Sequence, residues 1–171
     1  EFEALEQVPG AKARVFGDAG RSRRSAPACT APIKVIDMEA PREDAERLQR
    51  LAAGHATFMS AASPGVTALF FPNKYYASDE EYVFALAEGL RHEYETIAAA
   101  GITLQVDCPD LAMGRHVQFT DLSLEDFRKR IGMNVAALNH ALRNIPAEQL
   151  RMHLCWGNYP GPHTCDVALG D

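Results

Sequence analysis

The chain has 171 residues, 47% of them hydrophobic and 23% charged, with a net charge of −6 and a pI near 5.5. This length suits one domain or part of a larger one, and the apolar content excludes a disordered chain. An acidic surface repels phosphate backbones, so general nucleic-acid binding is not expected, and no apolar run approaches the ~20 residues of a membrane span.

Residues 1–31 show no sustained periodicity and read as an irregular N-terminal segment. Glu1, Phe2 and Glu3 do not open a signal peptide, and the chain does not begin with Met, which leaves the true N-terminus open. Residues 11–30 set Lys12, Arg14, Arg21, Arg23 and Arg24 against Asp18. With Gly17 and Gly20 they read as a mobile basic loop, without an ordered phosphate-binding motif. From Pro32 the texture changes, and residues 32–171 read as one domain.

Ile33 to Asp37 suggests a short strand. Pro41 to Ala53 suggests a helix, with Leu48 and Leu51 on one face and Gly54 just past its end. Ala56 to Ala62 reads as a buried strand ending at Ser63-Pro64-Gly65. Val66 to Phe71 fits either a short helix or the start of an extended loop. Ser78 to Ala100 is a strong helix: Ser78 and Glu81 form a capping box, and Val83, Leu86, Leu90, Tyr94 and Ile97 recur at helical spacing. Gly101 suits the left-handed position past its end.

Ile102 to Val106 is a strand running into Asp107-Cys108-Pro109-Asp110. Ser123 to Asn144 is a second strong helix, capped by Ser123, with Leu124, Phe127, Ile131, Val135, Leu138 and Leu142 as its stripe. Arg151 to Trp156 is another strand, followed by a loop rich in Gly, Pro and Asn. Strand centres near Phe58, Leu104 and Met152 lie 46 and 48 residues apart, with one long helix in each interval. That alternation predicts an α/β fold with a parallel sheet. Three strands and a weaker fourth fall short of the eight in a TIM-type barrel of about 250 residues, so the expected fold is a partial (β/α)8 barrel.

Its chemistry is expected at the C-terminal ends of the strands. His153-Leu154-Cys155 places an imidazole and a thiol at i and i+2, on one face of a strand. From there they could reach one zinc-like ion. Alone the pattern is weak, because a core His and a core Cys are the commoner reading; its place at a strand end before a Gly-rich loop strengthens it. His163 and Cys165 offer a second pair, although the combined spacing matches no common structural zinc pattern. Asp107 could hold a substrate ammonium or cap the following turn. Asp110, Arg115 and His116 share its loop, where an anion site or a surface salt bridge is the choice. His55, His92 and His140 read as structural or exposed, and Trp156 as packing. The four cysteines, Cys29, Cys108, Cys155 and Cys165, read as reduced thiols of a cytoplasmic protein.

Two segments carry a family resemblance. MHLCWGNYPGPHTCDV (Met152 to Val167) resembles the zinc-binding segment of the cobalamin-independent methionine synthases, and QVDCPDLAM (Gln105 to Met113) resembles their strand-end Q-[IV]-D-E-P segment. The likeness covers about residues 32–171 and is greatest to shorter relatives of the catalytic domain, which include thiol alkyltransferases. It implies a (β/α)8 barrel with zinc at its mouth, where a homocysteine-like thiol is presented as a thiolate and takes a methyl group from a folate-like donor.

By that resemblance His153 and Cys155 are metal ligands and Asp107 holds the substrate amino group. The remaining ligands are expected beyond residue 171, so that the 171 residues alone are expected to be inactive. Cys108 stands where the methionine synthases have Glu, which puts methionine synthesis proper in doubt. The alternative is a non-catalytic half-barrel used for binding or assembly. Either way, a partial barrel with open edges is expected to self-associate.

Overall fold

The computed structural model describes residues 27–157, 163–168 and 170. The basic residues between Lys12 and Arg24, and Asn158 to Pro162 of the loop after the last strand, lie outside the described residues. Among the described residues no helix is long and apolar enough to cross a membrane.

Helix α1 (Ala40–Ala52) leads to strand β1 (Phe58–Ala62) and the short helix α2 (Pro64–Phe70). Helix α3 (Asp79–Ala99) precedes strand β2 (Thr103–Asp107). A 3-10 turn (Pro109–Leu111), the short helix α4 (Met113–Val117) and helix α5 (Leu124–Leu142) lead through a second 3-10 turn (Ala147–Gln149) to strand β3 (Leu150–His153). The three strands pair in parallel in the order β1-β2-β3. This is a small α/β unit in which helices alternate with parallel strands.

Local chemistry starts the helices where the sequence predicts. Ser78 Oγ accepts the Glu81 N–H at 3.1 Å, and Ser123 Oγ accepts the Asp126 N–H at 3.0 Å. Ser63 accepts the Val66 N–H at 3.0 Å with Pro64 in the first turn, which settles Val66 to Phe70 as helical, with Phe71 just past the end. Gly101 takes φ +73°, as the αL position past α3 requires.

The core lies between one face of the sheet and helices α3 and α5. Tyr94, Ile97, Leu104 and Val106 are buried there with Ala137, Leu138 and Ala141. Of the stripe predicted for α5, Phe127 and Leu138 are buried and Val135 is exposed, and Asn134, Ala137 and Ala141 are buried besides. The small side chains of Ala137 and Ala141 let α5 pack close to its neighbours and widen its buried edge beyond that stripe.

The strand expected at Ile33 to Asp37 does not form. Residues 32–37 have no regular structure, and Ile36 is almost fully exposed. The segment runs over α3 instead of pairing with β1. The Ile33 N–H donates to the Tyr76 hydroxyl at 2.8 Å, and the Ile33 side chain packs against Gly89. Asp37 Oδ1 then accepts the N–H groups of Glu39 and Ala40 at 3.0 Å each and so helps to start α1.

Candidate functional site

Strand side chains alternate, so the sheet has two unlike faces. Met59, Ala61, Leu104 and Val106 point toward the helices. Phe58, Ser60 and Ala62 of β1, Thr103, Gln105 and Asp107 of β2, and Arg151 and His153 of β3 share the other face. The register sets Ser60 beside Gln105 beside Arg151, and Ala62 beside Asp107 beside His153. No described helix covers this face. The Arg151 guanidinium reaches across it to stack over the Phe58 ring, 4.0 Å from its centroid.

Asp107 and His153 therefore meet at the C-terminal ends of adjacent strands. His153 Nδ1 lies 3.3 Å from Asp107 Oδ1, and both side chains are partly open to solvent. Gln105 Nε2 donates to the same carboxylate oxygen at 2.8 Å and to Ser60 Oγ at 3.0 Å. Backbone pairing carries on past the strands and fixes this end of the sheet. The Ser63 N–H donates to the Asp107 carbonyl at 3.0 Å, and the Cys108 N–H to the His153 carbonyl at 2.9 Å. Asp107 also borders a shallow, mainly apolar cavity of about 350 Å3, walled by Ala62, Val66, Phe70, Phe71 and Pro109.

Cys155 lies just beyond β3, which ends at His153 rather than running on to Trp156. Its carbonyl accepts the Met113 N–H at 3.2 Å, and its sulfur accepts the Gly157 N–H at 3.1 Å. The imidazole of His153 and this thiol suit zinc in kind. Among the described residues no three His, Cys, Asp or Glu side chains gather as a metal-binding group. Cys155 therefore does not join His153 and Asp107 in such a group, and His163 and Cys165 do not complete one.

The second pair lies elsewhere. His163 Nδ1 is 3.1 Å from Asp166 Oδ1, and its ring stacks on His116 with centroids 5.1 Å apart. Arg115 donates to the Cys165 carbonyl at 3.3 Å, so Arg115 and His116 dock the loop after β3 onto α4. Trp156 joins the same packing by donating to the Val167 carbonyl at 3.2 Å.

Cys108 and Asp110 face inward and not toward the opening. Burial pushes the Cys108 thiol up to about 12, so it stays protonated. Asp110 is buried and accepts from Ser63 Oγ at 2.7 Å and from Asn134 Nδ2 at 3.0 Å. Burial raises its carboxyl above the ordinary range, against the pull of those two hydrogen bonds. Nothing in the local sequence marks this cluster, because its members are 47 and 24 residues apart along the chain. Its one trace is Gly65, where a Cβ would lie 2.0 Å from Asp110 Oδ2. Of the isolated histidines, His92 Nε2 lies 2.8 Å from the Met38 carbonyl and His140 pairs with Glu88.

Set against protein-family models, curated proteins and solved structures, the chain matches none.

Proposed function

We propose that the chain is part of a (β/α)8 barrel of the cobalamin-independent methionine synthase type, a zinc-dependent methyl- or alkyltransferase acting on a thiol. The observation that carries this reading is the meeting of Asp107 and His153, 3.3 Å apart on the helix-free face where two parallel strands end. In a closed barrel that face becomes the interior, and the strand ends its mouth.

His153 and Cys155 would hold the zinc ion, with further ligands from other strands of the barrel. Bound there, zinc supplies Lewis acidity that lowers the pKa of a thiol and makes it nucleophilic at neutral pH. Asp107 offers a carboxylate to the amino group of a homocysteine-like substrate. The apolar wall formed by Val66 and Phe71 lies beside that carboxylate and offers a surface for the substrate's aliphatic part. A folate-like molecule is the proposed methyl donor. The reading carries a cytoplasmic location with it, where the cysteines remain thiols.

Elemental analysis of the full gene product, followed by a screen of thiol acceptors, tests this reading. Zinc should be present at about one equivalent and fall sharply in Cys155→Ser, with loss of turnover. Stoichiometric zinc unchanged in Cys155→Ser would reject the site.

A second reading, a non-catalytic assembly module, is favoured by the exposure of Phe58 and Met152 on the two outer strands of the sheet. Under it, two copies associate through those strands. Light scattering at micromolar concentration should then find a dimer, and a stable monomer would reject it.

A further inference from the structure

Four side chains on the helix-free face form one hydrogen-bonded row across all three strands. Gln105 uses one amide hydrogen on Ser60 Oγ of β1 and the other on Asp107 Oδ1 of its own strand. Asp107 Oδ1 in turn faces His153 Nδ1 on β3. The direction of the row follows from donor and acceptor capacity. An ionised carboxylate only accepts, so Gln105 must turn its NH2 group, not its carbonyl, toward Asp107. For the same reason the imidazole nitrogen that faces Asp107 must carry hydrogen. A neutral imidazole has a single N–H, so His153 is then the Nδ1–H tautomer and its lone pair sits on Nε2.

We propose that Asp107 and Gln105 are positioning residues for His153, fixing the tautomer and ring orientation that leave Nε2 as the metal-binding nitrogen. The metal half of this statement rests on the function proposed above; the tautomer half does not. Asp107 then divides its work between its two oxygens. Oδ1 holds His153 and Gln105, whereas no hydrogen bond from a described residue reaches Oδ2, which remains for a substrate amino group. Gln105 acts one step further back: with both amide hydrogens committed it holds the carboxylate in the rotamer that meets the imidazole. A carboxylate behind a ligating histidine is a recurrent arrangement, and removing it typically weakens metal binding about 10–100-fold.

The test uses the full chain with 15N-labelled histidine, first metal-free at about pH 8, where an ordinary histidine of pKa near 6.5 is neutral. Nitrogen chemical shifts should report the Nδ1–H tautomer for His153 in the wild type. They should report it again in Asp107→Asn, whose side-chain carbonyl still accepts, and no longer in Asp107→Ala. Zinc titration of the same samples should show about 10–100-fold weaker binding in Asp107→Ala, and a smaller loss in Gln105→Ala.

An Nε2–H tautomer in the wild type would overturn the proposal. So would a tautomer and a zinc affinity both unchanged in Asp107→Ala. An Nδ1–H tautomer that depends on Asp107, in a protein that binds no zinc, would support the positioning role and overturn the metal reading instead.

Discussion

The two faces of the sheet are built from the same three short strands, read alternately, and they have opposite characters. Toward the helices, Leu104 and Val106 are almost fully buried between α3 and α5. On the other side, Ser60, Gln105, Asp107 and His153 form a polar row that remains open to solvent. Parallel sheets in α/β proteins are ordinarily covered on both faces. Polar side chains bound to one another on the uncovered face, at the C-terminal strand ends, are what a site needs and what a core excludes. Stability and chemistry are thus separated by a single residue step along each strand.

The contrast repeats within one loop. Asp107 and Asp110 are three residues apart, yet Asp107 faces the opening, whereas Asp110 is buried against Ser63 and Asn134. One carboxylate stands beside His153 at the open strand ends; the other ties α2, the loop after β2 and α5 together.

Substitutions on the two faces should separate this difference most widely. Leu104→Ala should lower unfolding free energy by about 2–5 kcal/mol, the usual range for a buried leucine. Its neighbour Gln105→Ala should lower it by about 1 kcal/mol or less, because only solvent-accessible hydrogen bonds are lost. Urea denaturation of both variants checks the pair, and similar losses would erase the distinction between the faces.

The buried cluster comes next in size. Asp110→Ala strands the Ser63 hydroxyl and the Asn134 amide and should cost about 1–3 kcal/mol. Asp110→Asn should cost less, because Asn134 Oδ1 has no partner and can accept from the new amide after a rotation. The pH dependence has a definite sign. The native carboxyl of Asp110 is raised above its unfolded value, so Asp110 opposes folding above its native pKa and ceases to as pH falls toward 3.8. Asp110→Asn should remove that component from a stability–pH profile.

The smallest effect belongs to the surface. The His140 hydrogen bond, followed by Arg91 and Arg143, holds the Glu88 carboxyl down to about 2. A depressed native pKa stabilises above the unfolded value and is lost as pH falls through the native one, so this contribution should fade between about pH 4.5 and 2. Glu88 is exposed, which limits it to about 0–1 kcal/mol. Glu88→Gln should flatten the profile in that window, as thermal unfolding across the pH range would show.

Much of the architecture is legible in the sequence because local rules govern it. Ser78 and Ser123 mark their helices by caps, and the spacing of Phe58, Leu104 and Met152 marks the parallel sheet. The strand at Ile33 to Asp37 looks right in composition, but pairing is a long-range event and the segment lies over α3 instead. Helix α4 was hidden within a loop of mixed residues. In α5 Phe127 and Leu138 mark the buried edge as their spacing predicts, whereas Ala137 and Ala141 widen it and hydrophobicity does not single them out. At the site, His153, Cys155 and Asp107 stand out by residue type and place. Gln105 opens the Q-V-D segment, and its parity with Asp107 puts it on the same face. The Ser63–Asp110–Asn134 cluster depends on chain folding, and Gly65 is its one trace in the sequence.

The central claim, that the open ends of β2 and β3 bind a metal through His153, is tested most directly by the shift in thermal midpoint on adding zinc to metal-free protein. A ligand that binds only the native state raises its stability by RT ln(1 + [L]/Kd), about 2.7 kcal/mol at a hundredfold excess over Kd. The wild type should therefore show a clear upward shift, and His153→Ala should show none while its metal-free midpoint stays close to the wild type's. An equal shift in both proteins, or no shift in the wild type, would contradict the account.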